Sequence, residues 1–233
     1  MHLYNHFIFI CQFKAAFSLY QDFKTRKPLI NNFNIFLKKD VKWRKTLYKI
    51  IFLIYNLYGD NMKLLIISDV HGDYKSLEKV LKNESFDRLV VLGDLFSYGK
   101  IILDLNNNEI IKLLKIYKDK LILIRGNCDY FIDYEKIGLY ANDIITIKAN
   151  NYDITFTHGN RYYRGFMPDF YGDIFVSGHT HIPMILKEKH TIYANPGSIG
   201  LPRGGSQKSY MVFNDNYIEL KTIDGVLEKK INL

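Results

Sequence analysis

The chain lacks an apolar run long enough to cross a membrane, because none of its charge-free stretches reaches 18 residues. It has only two cysteines, Cys11 and Cys128, which are too few for a disulfide framework. A secretory leader is not indicated either, since the apolar run 7–11 is shorter than a signal-peptide core and Lys14 soon interrupts it. We therefore expect a cytoplasmic protein in a reducing compartment.

Residues 62–233 also lack an excess of charge of either sign, with 22 Lys and Arg against 21 Asp and Glu. The net charge of +8 comes almost wholly from residues 1–61, which carry ten basic and three acidic residues. Proteins that bind long nucleic acids usually show a basic surface. The near-neutral part of the chain gives no such signal, so a nuclease ranks low among the candidate functions.

The character of the sequence changes at Met62, which predicts an N-terminal extension of residues 1–61 and a domain of residues 62–233. The extension is rich in Phe, Tyr, Asn, Ile and Lys and shows no clear order of strands, turns and helices. Two explanations stay open. Residues 1–61 are upstream sequence before a true start at Met62, or they form a basic, disordered or amphipathic extension, most apolar at 46–58, that touches a membrane surface or a partner.

From Met62 to residue 124, apolar strands alternate with amphipathic helices. This βαβαβ order predicts a parallel sheet covered by helices. Short strands and polar turns follow, and we expect these later strands to be mostly antiparallel additions. The predicted strands are 64–68, 88–92, 121–124, 144–148, 153–157, 174–176, 184–187, 191–194, 210–213 and 217–220, and the predicted helices are 76–82 and 109–117.

Side chains of the kind that bind metals follow five of the predicted strands. The segments are Asp69-Val70-His71, Gly93-Asp94, Gly126-Asn127-Cys128-Asp129, His158-Gly159 and Gly178-His179-Thr180-His181. Sites in α/β sheets form beyond the carboxyl ends of strands, and a neighbouring glycine lets the backbone turn sharply near a small ion. Taken alone, the Asp and Asn residues are explained as turn or helix-cap residues and His158 as a hydrogen-bonded histidine near a strand end, whereas His179 and His181, two positions apart, point the same way on an extended segment. Taken together, the five segments are harder to explain as separate structural features, because they contain four of the five histidines after Met62, all except His190.

This ordered set resembles that of the calcineurin-like metallophosphoesterase superfamily, and most closely its small bacterial and archaeal phosphodiesterase clade of the YfcE type. Three details narrow the resemblance to the clade: Cys128 after Asn127, where much of the superfamily has His; Asn195-Pro-Gly-Ser198 after the last histidine pair; and Leu201-Pro-Arg-Gly-Gly205. The resemblance covers residues 62–233 and none of 1–61. It implies an α/β fold, a four-layer αββα sandwich of two facing mixed β-sheets with flanking helices.

The resemblance also implies two adjacent metal sites that share Asp94. One ion would be held by Asp69, His71, Asp94 and His181, and the other by Asp94, Asn127, His158 and His179. These oxygen and nitrogen ligands suit Mn²⁺, Zn²⁺, Fe, Ni²⁺ or Mg²⁺, and the resemblance favours Mn²⁺. Two ions about 3.5–4 Å apart clamp a phosphate and lower the pKa of water, so that a hydroxide nucleophile exists near neutral pH. We therefore expect a phosphodiesterase that acts on a small-molecule or nucleotide diester.

At Cys128 the sequence departs from the superfamily pattern, and this departure affects which substrates we expect. Family members with His at this place can donate a proton to the leaving group, and cysteine is a weaker donor. We expect a preference for diesters or good leaving groups over simple monoesters, although Cys128 is also explained as a small residue packed beside the ligands. Arg203 either contacts a substrate phosphate or lies in a solvated loop. Residues 162–166 either line the substrate entrance or cover the sheet.

Two other functions stay open at the level of sequence. One is a phosphomonoesterase. The other is a metal-free scaffold on the same fold, as in one retromer subunit that serves mainly as an interaction surface. A scaffold would be expected to lose metal ligands, whereas the full set is present here. A homo-oligomer is compatible with either function.

Overall fold

The computed structural model describes residues 62–96, 105–130, 140–169 and 171–233, together with residues 132, 134, 135 and 138. These residues belong to one compact unit, Asp60–Leu233. The predicted N-terminal extension, with its apolar part 46–58 and Cys11, lies outside the described residues. No helix in the described part of the chain is long and apolar enough to cross a membrane.

The described residues form eleven strands, two α-helices and one short 3₁₀ helix, Lys118–Lys120. The α-helices are α1 (Tyr74–Asn83) and α2 (Leu105–Ile116). The strands are β1 (Leu64–Ile67), β2 (Arg88–Val91), β3 (Leu121–Leu123), β4 (Ile144–Ala149), β5 (Tyr152–Thr157), β6 (Ile174–Ser177), β7 (Met184–Glu188), β8 (Thr191–Asn195), β9 (Ser209–Phe213), β10 (Tyr217–Thr222) and β11 (Leu227–Asn232). Every predicted strand and helix is found in its place, and β11 is an additional strand that was not predicted.

The strands form two mixed sheets. The first has the order β11-β10-β9-β1-β2-β3 and the second the order β4-β5-β6-β8-β7. β1, β2 and β3 are parallel, which confirms the predicted βαβαβ unit. Most of the later pairs are antiparallel, as predicted, but β6 pairs in parallel with both β5 and β8. A parallel pair needs a long crossover, and the segment 158–173 supplies one between β5 and β6.

Alternate side chains of the central strands pack into two separate cores. In β1, Leu65 and Ile67 face a core that includes Leu77 of α1, whereas Leu64 and Ile66 face a core shared with the second sheet. A strand buried on both faces needs an apolar residue at every position, and all four residues of β1 are buried. The second core shows that the two sheets face each other, with α1 and α2 outside the first. The predicted α/β architecture is confirmed.

Part of the connection between β5 and β6 lies over the outer face of the second sheet. Tyr171 packs edge-on against Phe175 with ring centroids 6.4 Å apart, and the Gly172 N–H donates to Thr155 Oγ1 at 2.9 Å. Arg164 forms an ion pair with Glu188 at the end of β7. Within 162–166, Arg164 pairs with the sheet, whereas Tyr163 and Phe166 are 50% and 60% exposed, so both explanations of this segment stay open.

Candidate metal centre

Every predicted ligand lies just beyond the carboxyl end of a strand that has a parallel neighbour. In chain order the ligands follow β1 (Asp69, His71), β2 (Asp94), β3 (Asn127), β5 (His158) and β6 (His179, His181). Parallel strands in one sheet end at the same edge, and the core between the sheets brings the two edges together. Side chains that are more than a hundred positions apart in the sequence are thereby brought to one place.

Four of the seven side chains meet closely. Asp69, His71, Asp94 and His181 each offer a ligand atom, and these atoms all lie within 4.8 Å of one another. The Nε2 atom of His181 is 3.1 Å from Asp69 Oδ1 and 3.4 Å from His71 Nε2. This is the set that the resemblance implies for one ion.

Asp94 also faces His158, which in turn contacts the remaining two side chains, Asn127 and His179. Its Oδ2 atom lies 3.5 Å from His158 Nε2 and 3.7 Å from His71 Nε2. The His158 Nε2 atom is 2.9 Å from Asn127 Oδ1, and the His179 ring packs edge-on against the His158 ring with centroids 5.1 Å apart. One oxygen of Asp94 is therefore close to an imidazole nitrogen of each group, as a bridging ligand requires.

Backbone carbonyls orient two of the imidazoles. His158 Nδ1 lies 2.7 Å from the Leu92 carbonyl oxygen, and His181 Nδ1 lies 2.6 Å from that of Leu201. A carbonyl oxygen only accepts hydrogen bonds, so each Nδ1 carries the hydrogen. The Nε2 atom of the neutral ring then presents a lone pair to the centre. Histidines that bind metals are commonly held by their second nitrogen in this way.

The spacing of these atoms suits divalent cations. Two donors that bind one ion at about 2.1 Å each, at angles of about 90–110°, lie about 3.0–3.4 Å apart. The pairs Asn127–His158, Asp69–His181 and His71–His181 are 2.9, 3.1 and 3.4 Å apart. Asp69 Oδ1 is buried and makes no hydrogen bond among the described residues. A cation would satisfy this oxygen and the lone pairs that face it.

The pKa shifts of Asp69, His71 and His179 favour the forms of these side chains that bind metals. Burial alone would raise the pKa of Asp69, but its contacts with His181 and Ser68 outweigh burial and lower that pKa. Burial lowers the pKa of His71 and of His179, against the pull of the nearby carboxylates, so both rings favour the neutral form that binds metals. His181 differs, because its contact with Asp69 outweighs burial and raises its pKa, so that a metal ion would have to displace a proton from this ring.

Five of the seven predicted ligands have a left-handed backbone. Among the described residues, only Asn150 and Lys189, both in turns between strands, share a positive φ without being glycine. Such a conformation costs about 1–3 kcal/mol and is concentrated at functional sites. The five are Asp69 (φ 52°), His71 (47°), Asp94 (51°), His179 (66°) and His181 (61°).

Glycines let the loops of the centre touch. A Cβ atom on Gly126 would lie 2.0 Å from Asp94 Oδ1, and one on Gly178 would lie 1.9 Å from Ser68 Oγ. Neither distance is tolerated, so both positions require glycine. The predicted reason for glycine beside the ligands, a close approach of the backbone, holds at these two positions.

Several residues that hold the ligand loops were not predicted to do so. Ser198 Oγ donates to the Asp69 carbonyl at 2.7 Å and Asn195 Nδ2 to the Gly178 carbonyl at 2.8 Å, so the segment 195–198 supports the two loops that carry Asp69 and His179. Asp129 accepts a hydrogen bond from the Asp94 N–H at 2.6 Å. Its position beside Asn127 was visible in the motif, but its role was not.

Cys128 lies beside the carboxylate of Asp94. Its N–H donates to Asp94 Oδ1 at 2.8 Å, and its Sγ lies 3.3 Å from Asn127 Nδ2. Burial, together with the negative charge of Asp94, raises the pKa of the Cys128 thiol to about 12. A thiol of such high pKa stays protonated at neutral pH and is a poor proton donor to a leaving group.

Arg203 lies next to the His181 side of the centre. Its N–H donates to the His181 carbonyl at 3.2 Å, and the charge of its guanidinium lowers the His181 pKa. Within the described part of the chain this guanidinium makes no hydrogen bond or ion pair. The other arginines there are engaged, namely Arg88, Arg125, Arg161 and Arg164.

Comparison with known proteins agrees with this geometry. The family described as the calcineurin-like phosphoesterase superfamily domain matches residues 62–216. Phosphodiesterase YfcE of Escherichia coli strain K12 is 30% identical over 166 residues, which cover 66% of this chain and 89% of the relative. The solved structure of the E. coli phosphoesterase YfcE has a TM-score of 0.65 at 23% identity and covers 73% of this chain and 98% of its own. Vacuolar protein sorting 29 from Cryptosporidium parvum has a TM-score of 0.53 at 18% identity, covering 74% and 97%. The two structural likenesses show the fold alone.

Proposed function

The chain belongs to the calcineurin-like phosphoesterase superfamily, and on that premise we propose that it is a dinuclear metal-dependent phosphodiesterase acting on a small-molecule or nucleotide diester. One observation carries the proposal. Asp94 Oδ2 lies 3.7 Å from His71 Nε2 and 3.5 Å from His158 Nε2, so that a single carboxylate faces both halves of the centre. Mn²⁺ is the favoured ion, and we expect the enzyme to work in the cytoplasm.

The proposed ligands divide into the two sets that share Asp94. Asp69, His71 and His181 complete one set, and Asn127, His158 and His179 complete the other. When bound, the ions would supply positive charge that binds phosphoryl oxygens and lowers the pKa of water, so that a hydroxide nucleophile is available near neutral pH.

The chain's own residues orient the ligands and the ester. The carbonyls of Leu92 and Leu201 fix the rings of His158 and His181. The guanidinium of Arg203, beside His181, offers a charged donor to a phosphoryl oxygen. Cys128 is given no role as a nucleophile, because metal-activated water supplies the nucleophile.

The same thiol supports the preference for diesters. A leaving group that needs protonation gains little from Cys128, whereas an activated leaving group departs without it. The E. coli relative is named a phosphodiesterase, in agreement with this preference. We therefore expect the chain to cleave bis(p-nitrophenyl) phosphate faster than p-nitrophenyl phosphate. Clearly faster turnover of the monoester would count against the preference and favour a phosphomonoesterase.

Asp94→Asn tests the centre itself. Metal-free protein is reconstituted with Mn²⁺ and assayed on the activated diester. We expect this substitution to remove most of the activity, because both ions share the carboxylate. Asp153→Asn is the control, because Asp153 is an exposed carboxylate at the opposite end of β5 and should leave turnover unchanged. Near-normal turnover of Asp94→Asn would contradict the proposal, and a parent chain that neither binds metal nor cleaves either ester would point to a scaffold.

A further inference from the structure

Asp129 joins the loop that carries Asp94 to the loop that carries Asn127. Its Oδ2 atom accepts hydrogen bonds from the Asp94 N–H at 2.6 Å and the Gly126 N–H at 3.1 Å. Its Oδ1 atom accepts one from the Leu95 N–H at 2.9 Å. The Tyr134 hydroxyl also donates to Oδ2. One side chain therefore binds backbone donors of both loops.

The loops are also linked in the opposite direction. The Oδ1 atom of Asp94 accepts a hydrogen bond from the Cys128 N–H at 2.8 Å. With Oδ1 held in this way, Oδ2 is the oxygen that faces His71 and His158, at 3.7 and 3.5 Å. The direction of the proposed bridging carboxylate is thus set by hydrogen bonds between the two loops.

The two loops also pack closely against each other at Gly93 and Gly126. A Cβ atom on Gly93 would lie 2.4 Å from the Gly126 nitrogen, so the two backbones are in direct contact. Asp94 has a φ of 51°, which a non-glycine residue adopts only where its surroundings impose it. The hydrogen bond from the Asp94 N–H to Asp129 is one of the contacts that impose this conformation.

We propose that Asp129, supported by Tyr134, is a positioning residue for the metal centre: it holds Asp94 and Asn127 in the relative geometry that lets both metal sites share one carboxylate. This inference rests on the proposed dinuclear function. Asp129 acts through Asp94 and not on the substrate, because its hydrogen bonds are to backbone N–H groups and a tyrosine hydroxyl. Carboxylates that orient metal ligands typically change metal affinity or activity by about 10–100-fold when replaced.

The test is Asp129→Asn in the full chain, with Mn²⁺ binding to the metal-free protein measured by titration calorimetry. Asparagine keeps the shape but replaces one acceptor oxygen with an amide nitrogen, which cannot accept a hydrogen bond from a backbone N–H. We expect Mn²⁺ affinity to fall about 10–100-fold at one or both sites. We also expect kcat for the activated diester to fall with little change in KM. Tyr134→Phe removes one donor to the same carboxylate and should cause a smaller change of the same kind.

Tyr210→Phe is the matched control, because Tyr210 is as buried as Tyr134 and its hydroxyl donates to Glu84 just beyond α1. It should lower the thermal unfolding midpoint and leave Mn²⁺ affinity unchanged. If Asp129→Asn folds and binds two Mn²⁺ ions as tightly as the parent, the positioning role is wrong. If that variant does not fold, unchanged affinity in Tyr134→Phe overturns the role instead. A parent chain that binds no Mn²⁺ would overturn the dinuclear centre itself.

Discussion

The guanidinium of Arg203 is exposed, lies beside the proposed centre and has no partner within the described part of the chain. A charged hydrogen bond to phosphate contributes about 1.5–3 kcal/mol, which corresponds to about 10–100-fold in binding. We therefore expect Arg203→Gln to raise KM for an activated diester by about 10-fold or more, with a smaller change in kcat. Steady-state kinetics with Mn²⁺ would measure both constants.

Arg164→Gln is the control for this prediction, because the Arg164 side chain pairs with Glu188 on the outer face of the second sheet. Its KM should equal that of the parent. An Arg203→Gln enzyme with an unchanged KM would show that Arg203 belongs to a solvated loop, the alternative that the sequence left open.

Individual residues of the centre differed in how far the sequence could reveal them. Asp94 and His158 were visible because each proposed ligand stands beside glycine at the end of an apolar strand, and the fold brings the two side chains within 3.5 Å of each other. Tyr134 could not be found in this way. Its hydroxyl reaches Asp129 from a segment without a regular apolar pattern, so only the folded chain reveals the contact. The positive φ of the proposed ligands could not be predicted either, because Asp and His, unlike glycine, seldom adopt a left-handed backbone.

At the scale of elements, Glu84 links the end of α1 to the first sheet. Its Oε1 atom accepts hydrogen bonds from Tyr210 Oη at 2.8 Å and Lys221 Nζ at 2.9 Å, and its Oε2 atom accepts one from Lys63 Nζ at 3.0 Å. Burial alone would raise the pKa of Glu84, but these hydrogen bonds outweigh burial and hold the pKa below its ordinary value of 4.5. The ionised form is therefore favoured in the folded chain.

The sign of the pH dependence follows from this shift. A carboxyl group with a lower pKa in the folded state stabilises the fold above its unfolded pKa, and this contribution is lost as the pH falls through the folded pKa. Glu84→Gln should lower the free energy of unfolding at neutral pH by about 1–3 kcal/mol. The difference in unfolding free energy between this variant and the parent should shrink as the pH falls below 4.5, the ordinary pKa of a glutamate side chain. Urea unfolding of both proteins at several pH values would measure this, and a deficit that does not change with pH would contradict it.

A strand buried on both faces was readily predicted, and the most exposed strand was missed. All four residues of β1 are buried, and its apolar run was recognised without difficulty. β11 has the sequence LEKKIN, and nearly all of its residues are exposed. It joins the sheet through antiparallel pairing with β10, which no apolar pattern in its own sequence signals. Charged edge strands of this kind protect a sheet against pairing with other chains, so the feature that hid β11 has a physical role.

At the scale of the whole molecule, the centre depends on two sheets that meet through one core. Leu64 and Ile66 of the first sheet pack in the same cluster as Phe156 and Val176 of the second. This core brings the ends of β1 and β2 close to the ends of β5 and β6. The sequence predicted the parallel unit of the first sheet, but the parallel pairing of β5 with β6 depends on how a long crossover lies over the second sheet, which no local pattern indicates.

All of the proposed ligands lie within residues 62–233, and the family match begins at residue 62. Met62 itself is anchored, because its N–H donates to Asn150 Oδ1 at 2.9 Å and its side chain packs against the core between the sheets. We therefore expect a chain that starts at Met62 to fold cooperatively, to bind Mn²⁺ as the full chain does, and to cleave the activated diester with the same kcat/KM. Thermal unfolding and kinetics of the two chains side by side would measure this. A shortened chain that aggregates or loses activity would show that residues 1–61 contribute to the enzyme, and N-terminal sequencing of the native protein would then be expected to find them in place.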